Sequence, residues 1–368
     1  MNDLARSSVA IITAAQAPSG AILAAPTFPV YRYCWFRDAS FTAYAMDRVG
    51  KPDVSARFFQ WGHAIVQRHR DRVERALERY ERGESFSGND LLHCRYTVDG
   101  AEGSEQWGNF QMDGYGTYLW ALAHHLRRTG AQFEPYLPTI RLLARYIMAF
   151  WGQPQYDCWE EAEGRYPATL ACLFGGLRAI LPLLPPPEAA AASAAAEAMR
   201  AAVLGEGVHQ GRLAKSLGGS AIDASLLWCV VPFDLVQVTH PVALETVRTV
   251  ERELLDGGVH RFRDDTYYGG GAWILLTAWL GWAQARAGRL ADAEQLLDWI
   301  ERQPDPHGAL PEQVQDSLFA PAFFDVWVDR WGAPACPLIW SHAMYLVLRQ
   351  ELRSMQAKSI DRSQVAAD

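Results

Sequence analysis

The segment AWILLTAWLGWAQARAG, at residues 272–288, decides the fold. It is apolar on nearly every side, ends in a basic residue and a glycine, and is followed by the charged stretch ADAEQLLDWIERQ at 291–303. A helix that is apolar all round is typical of a protein interior, whereas a helix with charges on one face is typical of the surface. Glycine commonly ends a helix at the position after its last turn. The two segments therefore predict a helical hairpin with a buried first helix and an outer second helix.

The same design occurs twice more along the chain. Arg37 to Gly50 is followed by the helical stretch Val54 to Gln67, and Gly116 to Gly130 by Ile140 to Trp151. The 368 residues divide into twelve helices of about 31 residues each, connections included. We predict an all-α fold, an (α/α)6 barrel of six inner and six outer helices. A solenoid of helical pairs has the same periodicity and is the structural alternative.

One barrel domain is expected over residues 1–354, followed by a polar C-terminal tail at 355–368. The β-prone run from Leu226 to Val238 is short and is interrupted by Pro232. The N-terminal stretch Ser8 to Ala15 follows an acidic residue, Asp3, rather than a basic cluster, so we interpret it as a helix and not as a signal peptide.

Composition excludes several functional classes. The chain has 34 Lys and Arg against 42 Asp and Glu, a net charge of −8, and lacks the basic stripe that nucleic acid requires. It contains no run of about 18 apolar residues that would span a membrane. Its six cysteines are dispersed singly, which predicts reduced thiols and a cytoplasmic protein. The 14 Trp residues, nearly as many as the 15 Phe, need an explanation.

Polar aromatic motifs precede the predicted inner helices. They are YRYCWFRD (31–38), EQWGNFQMDG (105–114), YDCWEE (156–161), RFRDDTYYGGG (261–271) and LPEQ (310–313), the last upstream of a helix that begins near Trp340. Because inner helices of such a barrel begin at the same end, these motifs converge on one pocket. Any one of them alone is more simply explained as core packing or a structural ion pair, whereas five in register indicate a site.

The mixture of residues has a chemical meaning. Sugars present polar hydroxyl edges and apolar C–H faces, so a sugar site combines aromatic walls with carboxylates and guanidinium groups. Two of the carboxylates could then act as acid and base on a glycosidic bond. A neutral carbohydrate ligand also suits an acidic protein.

These motifs are recognisable. YRYCWFRD, QWGNFQMDG, YDCWEE, RFRDDTYYGGGAW, LPEQV and WSHA, in this order, resemble the catalytic domain of glycoside hydrolase family 15, and the resemblance runs from about Ser19 to Leu348. It implies an (α/α)6 barrel and an inverting, exo-acting α-glucoside hydrolase that releases β-glucose from nonreducing ends.

The resemblance also implies roles for particular residues. Glu160 is expected to be the general acid and Glu312 the general base. The residues expected to bind the sugar, to line its pocket or to support it are Tyr31, Trp35, Arg37, Asp38, Trp107, Asp157, Trp159, Glu161, Arg261, Asp265 and Trp273. We interpret other tryptophans, among them Trp120, Trp228 and Trp282, as core.

Inversion sets physical requirements for the two glutamates. The acid must stay protonated, which an apolar neighbour such as Trp159 and the like charge of Glu161 favour for Glu160. Glu312 is expected to be ionised, and the two carboxyl groups to lie roughly 6.5 to 9.5 Å apart, leaving room for water.

No cofactor or metal is expected, because the sequence has neither a nucleotide-binding glycine motif nor a compact histidine cluster. His124 and His125 are interpreted as packing or surface residues. Gly269 to Gly271 indicates either a loop close to a sugar or a turn before a helix.

Substrate linkage is the remaining question. Family members often carry a β-sandwich or a starch-binding module, and neither pattern occurs in this sequence. We therefore expect short, soluble α-gluco-oligosaccharides, of the α-1,6 type found in isomaltose and panose. Alternatives are an α-1,4 exo-glucosidase or a trehalase of the same family, a glycoside phosphorylase, which would need only the acid, and a noncatalytic sugar-binding regulator, which would be expected to lack one carboxylate.

Overall fold

Helices account for most of the chain in the computed structural model, which describes residues 3–85, 87–105 and 107–365, with side chains up to residue 357. Over these residues the helices are α1 (Asp3–Ala14), α2 (Phe36–Arg48), α3 (Pro52–Arg68), α4 (Arg70–Glu81), α5 (Asp113–Thr129), α6 (Leu137–Phe150), α7 (Pro167–Ile180), α8 (Pro186–Glu206), α9 (Pro241–Leu254), α10 (Ile274–Arg286), α11 (Leu290–Glu301), α12 (Phe324–Trp331) and α13 (Ile339–Val365). The three predicted hairpins are α2 with α3, α5 with α6, and α10 with α11.

Six inner elements form a closed ring. In order they are α2, α5, α7, the 3-10 segment Ala224–Cys229, α10 and α13, and α13 packs back onto α2. Outside them, α1 packs on α13, α3 on α2, α6 on α5, α8 on α7, α9 on the 3-10 segment, and α11 on α10. Since a solenoid would not close, the predicted (α/α)6 barrel is confirmed.

Burial follows the sequence pattern. In α10 every residue from Ile274 to Ala285 is buried, whereas α11 buries Ala293, Leu296 and Ile300 along one face. Helices α5 and α7 approach most closely at glycines, since a Cβ on Gly176 would clash with the Gly116 carbonyl oxygen. Glycine is required there because the two backbones touch.

Two further segments are the β-prone run and the C-terminal tail. The β-prone run from Leu226 to Val238, all of which the structure describes, forms no strand; its beginning belongs to the inner 3-10 segment, whose six residues are all buried. A fully buried apolar run gives no periodic signal that separates strand from helix. The predicted polar tail at 355–368 continues α13 as far as Val365, and residues 366–368 lie outside the described part.

Short strands lie in the connections that lead into the inner helices. They are β1 (Cys34–Trp35), β2 (Arg95–Tyr96), β3 (Gln155–Tyr156), β4 (Glu163–Gly164), β5 (Val208–His209), β6 (Arg212–Leu213), β7 (Leu255–Asp256), β8 (Gly258–Val259), β9 (Gly271–Trp273) and β10 (Gln313–Leu318). They pair antiparallel in small sheets, and the largest sheet has the order β10-β9-β8-β7.

The glycine triplet serves this sheet. Gly269 and Gly270 have positive φ angles of 74° and 68°, and a Cβ on Gly271 would clash with the Val314 carbonyl oxygen. The triplet therefore turns the chain and brings β9 against β10. Of the two interpretations offered by the sequence, the turn before a helix agrees with these contacts.

Several smaller predictions concern packing. The N-terminal stretch is helical, as α1. All six cysteines are free, and five are buried. His125 lies 3.0 Å from both carboxylate oxygens of buried Asp47, and His124 packs on Tyr44 and Trp120. Among the described residues, no helix is long and apolar enough to cross a membrane.

Candidate active site

A cavity of about 670 Å³ opens at the end of the barrel where the inner helices begin. Its wall is formed by Ala24, Tyr31, Trp35, Arg37, Asp38, Trp107, Gly108, Tyr156, Cys158, Trp159, Glu160, Glu161, Arg261, Thr266, Tyr267, Trp273, Glu312, Trp327, Arg330, Trp331, Leu338 and Trp340. Half of the protein's 14 tryptophans line this one cavity, which accounts for much of the tryptophan excess. The tryptophans interpreted as core are buried elsewhere in the barrel.

The structure brings together 11 of the 13 residues singled out in the sequence, all of them on the cavity wall. The other two, Asp157 and Asp265, are buried behind it. Asp265 accepts two hydrogen bonds from Arg261, and Asp157 accepts one from the Glu161 backbone. Each therefore contacts a residue of the wall from behind it.

Glu160 lies on the hairpin loop between β3 and β4, where three hydrogen-bond donors hold its carboxylate. Its Oε1 accepts from Trp35 Nε1 at 2.7 Å and from Gln111 Nε2 at 2.9 Å, and its Oε2 accepts from Trp107 Nε1 at 2.5 Å. Oε2 thus retains a lone pair that can carry a proton. The residue has a positive φ of 66°, which is uncommon for a non-glycine residue and which its surroundings must maintain.

Glu312 lies directly before β10 and is more deeply buried than Glu160. Its side chain is buried, and Oε2 has no hydrogen-bond partner among the described residues. Desolvation raises the pKa of Glu312 to about 8, although Arg261 and the hydroxyls of Tyr31 and Tyr267 lower it. These two hydroxyls lie 2.8 Å from each other.

Burial therefore opposes the ionised form that the sequence led us to expect for Glu312. A buried carboxylate loses hydration, and one nearby guanidinium does not compensate for that loss here. Sequence analysis gave Glu160 an apolar neighbour, Trp159. In the structure the Trp159 N–H donates to Asp223, and the N–H groups of Trp35 and Trp107 donate to Glu160. Burial, which no local motif states, is the largest cause of the raised pKa of Glu312.

Arg37 and Asp38 lie in the first turn of α2. Arg37 Nη1 donates to Gln111 and to Asp113, its Nε lies 3.2 Å from Asp38, and its Nη2 lies 3.8 Å from Glu160. Desolvation raises the pKa of Asp38 to about 7, against the lowering effect of Arg37. This first turn thus presents to the cavity one cation, Arg37, and one carboxyl group with a raised pKa, Asp38.

A second arginine, Arg261, also lines the wall. Arg261 pairs with Asp265 and lies 3.0 Å from Glu161, so a single guanidinium joins the β8 connection to the Glu160 loop. It also lies over the rings of Trp159 and Trp273, at 5.3 and 5.4 Å. Burial raises the pKa of Glu161, although the positive charge of Arg261 lowers it.

Several residues in or behind the cavity wall escaped sequence analysis. Tyr267 and Gln111 stand inside motifs that were quoted but were given no role. Trp327, Arg330 and Trp331 come from α12, where their i, i+3, i+4 spacing on one helical face was an available signal. Buried Arg95 had no such signal; it lies over Trp35 and Trp107 and supports the two rings that donate to Glu160.

Comparison with known proteins gives the family. Residues 2–302 match the family model described as Glycosyl hydrolases family 15. An isomaltose glucohydrolase from Kribbella flavida is 46% identical over 358 residues, which are 96% of this chain and 93% of that protein. The chain belongs to glycoside hydrolase family 15. The protein is thus a glycoside hydrolase.

Solved structures agree with this assignment. One titled "Glycosidase Wild Type" is 46% identical, with a TM-score of 0.93 over 95% of this chain and 96% of the other. A bacterial glucoamylase complexed with acarbose has a TM-score of 0.78 at 18% identity, covering 96% of this chain and 56% of that one. The second likeness shows the (α/α)6 fold of the family 15 enzyme described here.

Acidic residues are concentrated in the family 15 cavity without forming a metal cage in the part of the chain that the structure describes. Among those residues, no group of three or more His, Cys, Asp or Glu side chains is arranged to hold an ion. The carboxylates contact tryptophan, glutamine and arginine donors instead.

Proposed function

We propose that this protein is an inverting, exo-acting α-glucosidase that removes glucose from the nonreducing ends of short α-1,6-linked gluco-oligosaccharides such as isomaltose. The observation that carries the proposal is that Glu160 and Glu312 line one tryptophan-walled cavity, with Arg37 and Arg261 in the same wall. The linkage is supported by the 46% identical isomaltose glucohydrolase. A cytoplasmic location stays a prediction.

Each glutamate has a distinct task in this mechanism. Glu160 donates its proton to the glycosidic oxygen as the bond from that oxygen to the anomeric carbon breaks. Glu312, in its ionised form, takes a proton from a water that attacks the anomeric carbon from the other face, so the product is β-glucose. The proton lost by Glu160 and the one gained by Glu312 balance, and solvent exchange restores both.

The remaining wall residues bind and orient the sugar. Arg37, Asp38 and Arg261 offer charged hydrogen-bond partners to hydroxyl groups, and the rings of Trp35, Trp107, Trp159 and Trp273 contact C–H faces. Tyr31, whose hydroxyl lowers the pKa of Glu312, positions the attacking water. Asp157, Glu161 and Asp265 hold these groups in place.

A glucose-release assay without phosphate tests the substrate. Isomaltose, panose, maltose, trehalose and soluble starch are compared by kcat/KM, and the proposal expects isomaltose and panose to be best. Preference for maltose and starch would replace it with an α-1,4 exo-glucosidase, and preference for trehalose with a trehalase. Turnover that depends on added phosphate would indicate a phosphorylase, and binding without turnover a regulator.

The stereochemistry is tested separately. Proton NMR of the first-formed product should show the β anomer of glucose, followed by slow mutarotation. Prompt appearance of the α anomer would contradict the inverting mechanism, whichever linkage is preferred.

A further inference from the structure

A partly buried cation lies outside the cavity wall and has no part in the mechanism above. Lys215, between β6 and the 3-10 segment, places its Nζ 3.1 Å from Asp157 Oδ2 and 3.3 Å from Asp223 Oδ2. The side chain of Lys215 is 22% exposed, whereas those of Asp157 and Asp223 are 2% and 0% exposed. The ammonium group also lies 4.2 Å from the centre of the Phe262 ring.

Both carboxylates contact the loop that carries Glu160. Asp157 Oδ1 accepts from the Glu161 backbone N–H at 2.9 Å, and the Asp157 carbonyl accepts from the Glu160 N–H at 2.9 Å. Asp223 accepts from the indole N–H of Trp159 at 3.0 and 3.1 Å and caps the 3-10 segment through Ser225. One lysine thus links the Glu160 loop, a wall tryptophan and an inner element of the barrel.

Removing this charge would leave two buried carboxylates that were both within 3.3 Å of one nitrogen. Like charges at such separation repel, and an uncompensated buried charge is unfavourable. This repulsion is relieved either by protonation of one of the two carboxylates or by movement of the loop. Movement is available because Glu160 has a positive φ of 66°, a conformation that a non-glycine residue leaves when its surroundings permit.

We propose that Lys215 is a positioning residue that bridges Asp157 and Asp223 and thereby holds Glu160 and Trp159 in their catalytic arrangement. This inference rests on the proposed function, since it assigns Lys215 to the acid's loop. A displacement of about 1 Å in a catalytic group can lower turnover by about 100-fold. Lys215→Met, which keeps the aliphatic length without the charge, is the informative substitution.

The experiment compares Lys215→Met with a matched cation at the other end of the barrel. Arg48 is 19% exposed and pairs with the largely buried Glu351 at 3.0 Å, so Arg48→Met also removes one cation from a partly buried pair. Both variants should have lower melting temperatures. On the best substrate of the wild type, Lys215→Met should lower kcat by 10- to 100-fold, with a smaller rise in KM, whereas Arg48→Met should change kcat by less than threefold.

Two further variants separate positioning from stability. Lys215→Arg, which retains the cation, should restore kcat to within about threefold of the wild type. Adding Asp223→Asn to Lys215→Met removes the repulsion and should recover part of the lost kcat. Equal kcat losses in Lys215→Met and Arg48→Met would overturn the proposal. So would a kcat that recovers neither in Lys215→Arg nor in the variant that combines Lys215→Met with Asp223→Asn.

A structural readout keeps this inference distinct from the substrate assignment. A wild type that cleaves none of the tested glucosides would defeat the proposed function, and the positions of Glu160 and Trp159 can still be determined. Crystal structures of Lys215→Met and Arg48→Met should show both residues displaced in the first variant alone. Unchanged positions in Lys215→Met would contradict the role of Lys215.

Discussion

The two ends of the barrel each contain a cavity, and the two cavities are similar in size. The cavity at the C-terminal ends of the inner helices measures about 810 Å³, against about 670 Å³ at the catalytic end. Arg127, Arg178 and Arg286 line it from the last turns of α5, α7 and α10, where cations complement the helix dipoles. Volume therefore does not identify the active site.

The two glutamates distinguish the catalytic end from the opposite end. Away from the catalytic end, Asp47 lies 3.0 Å from His125, and Glu351 lies 3.0 Å from Arg48. At the catalytic end, Glu312 has a raised pKa and an oxygen without a partner among the described residues, and Glu160 has a left-handed backbone. Carboxyl groups with a pKa shifted as that of Glu312 is cluster at functional sites, because catalysis needs them to exchange protons.

The largest effect is expected from the two glutamates. Glu160→Gln and Glu312→Gln should each lower kcat at least about 1000-fold, because an amide neither donates the acid's proton nor accepts the base's. Steady-state glucose release measures this. Glu197→Gln, in the opposite cavity, is the control and should stay within twofold of the wild type. Comparable losses in the control would remove the functional distinction between the ends.

The pH dependence should follow Glu312, the proposed base. Because Glu312 must be ionised to act and its pKa is raised to about 8, kcat/KM of the wild type should fall about tenfold per pH unit below that value. A series of rate measurements between pH 5 and pH 9 checks this. An acidic limb centred near the ordinary value of 4.5 would show that burial of Glu312 has no effect on catalysis.

Stability should change with pH in the corresponding direction. The folded protein binds more protons at Glu312 than the unfolded chain between about pH 4.5 and 8, so this group makes stability fall as pH rises through that window. Glu312→Gln should therefore melt at a higher temperature than the wild type at pH 8, and the difference should shrink by pH 4. A Gln variant that is less stable at pH 8 would contradict the raised pKa.

A smaller loss is expected when one donor to Glu160 is removed. Trp35→Phe keeps an aromatic wall but deletes the N–H that lies 2.7 Å from Oε1, and it should lower kcat about tenfold, consistent with one charge-assisted hydrogen bond. Trp120→Phe, in the opposite cavity, is the matched control. Equal effects of both substitutions on kcat would contradict a catalytic contribution from the hydrogen bond between Trp35 and Glu160.

At the opposite end the expected effect is on stability alone. His125→Phe leaves Asp47 buried without its partner and should lower the free energy of unfolding by about 1 to 3 kcal/mol. Chemical denaturation measures the loss, and kcat at a temperature where the variant is folded should equal that of the wild type. A tenfold lower kcat in the folded variant would show that this end also serves catalysis.

The sequence predicted the barrel because its evidence is periodic and repeated. Apolar helices with C-terminal glycines, such as Ala272 to Gly288, specify burial without reference to distant residues. The inner element Ala224–Cys229 escaped this reasoning because it is a 3-10 segment too short to show a helical period. Its role depends on its neighbours α7, α9 and α10, which complete the ring.

For the site, the sequence by itself determined which residue types could act on a sugar and that their motifs begin the inner helices. Only the tertiary structure decided how each group behaves. Glu160 and Glu312 both stand in polar motifs, yet one receives three N–H donors and the other loses its hydration. Lys215, Arg95 and α12 join the site across long sequence separations. Burial and electrostatics arise from groups brought together by folding, and local sequence does not encode them.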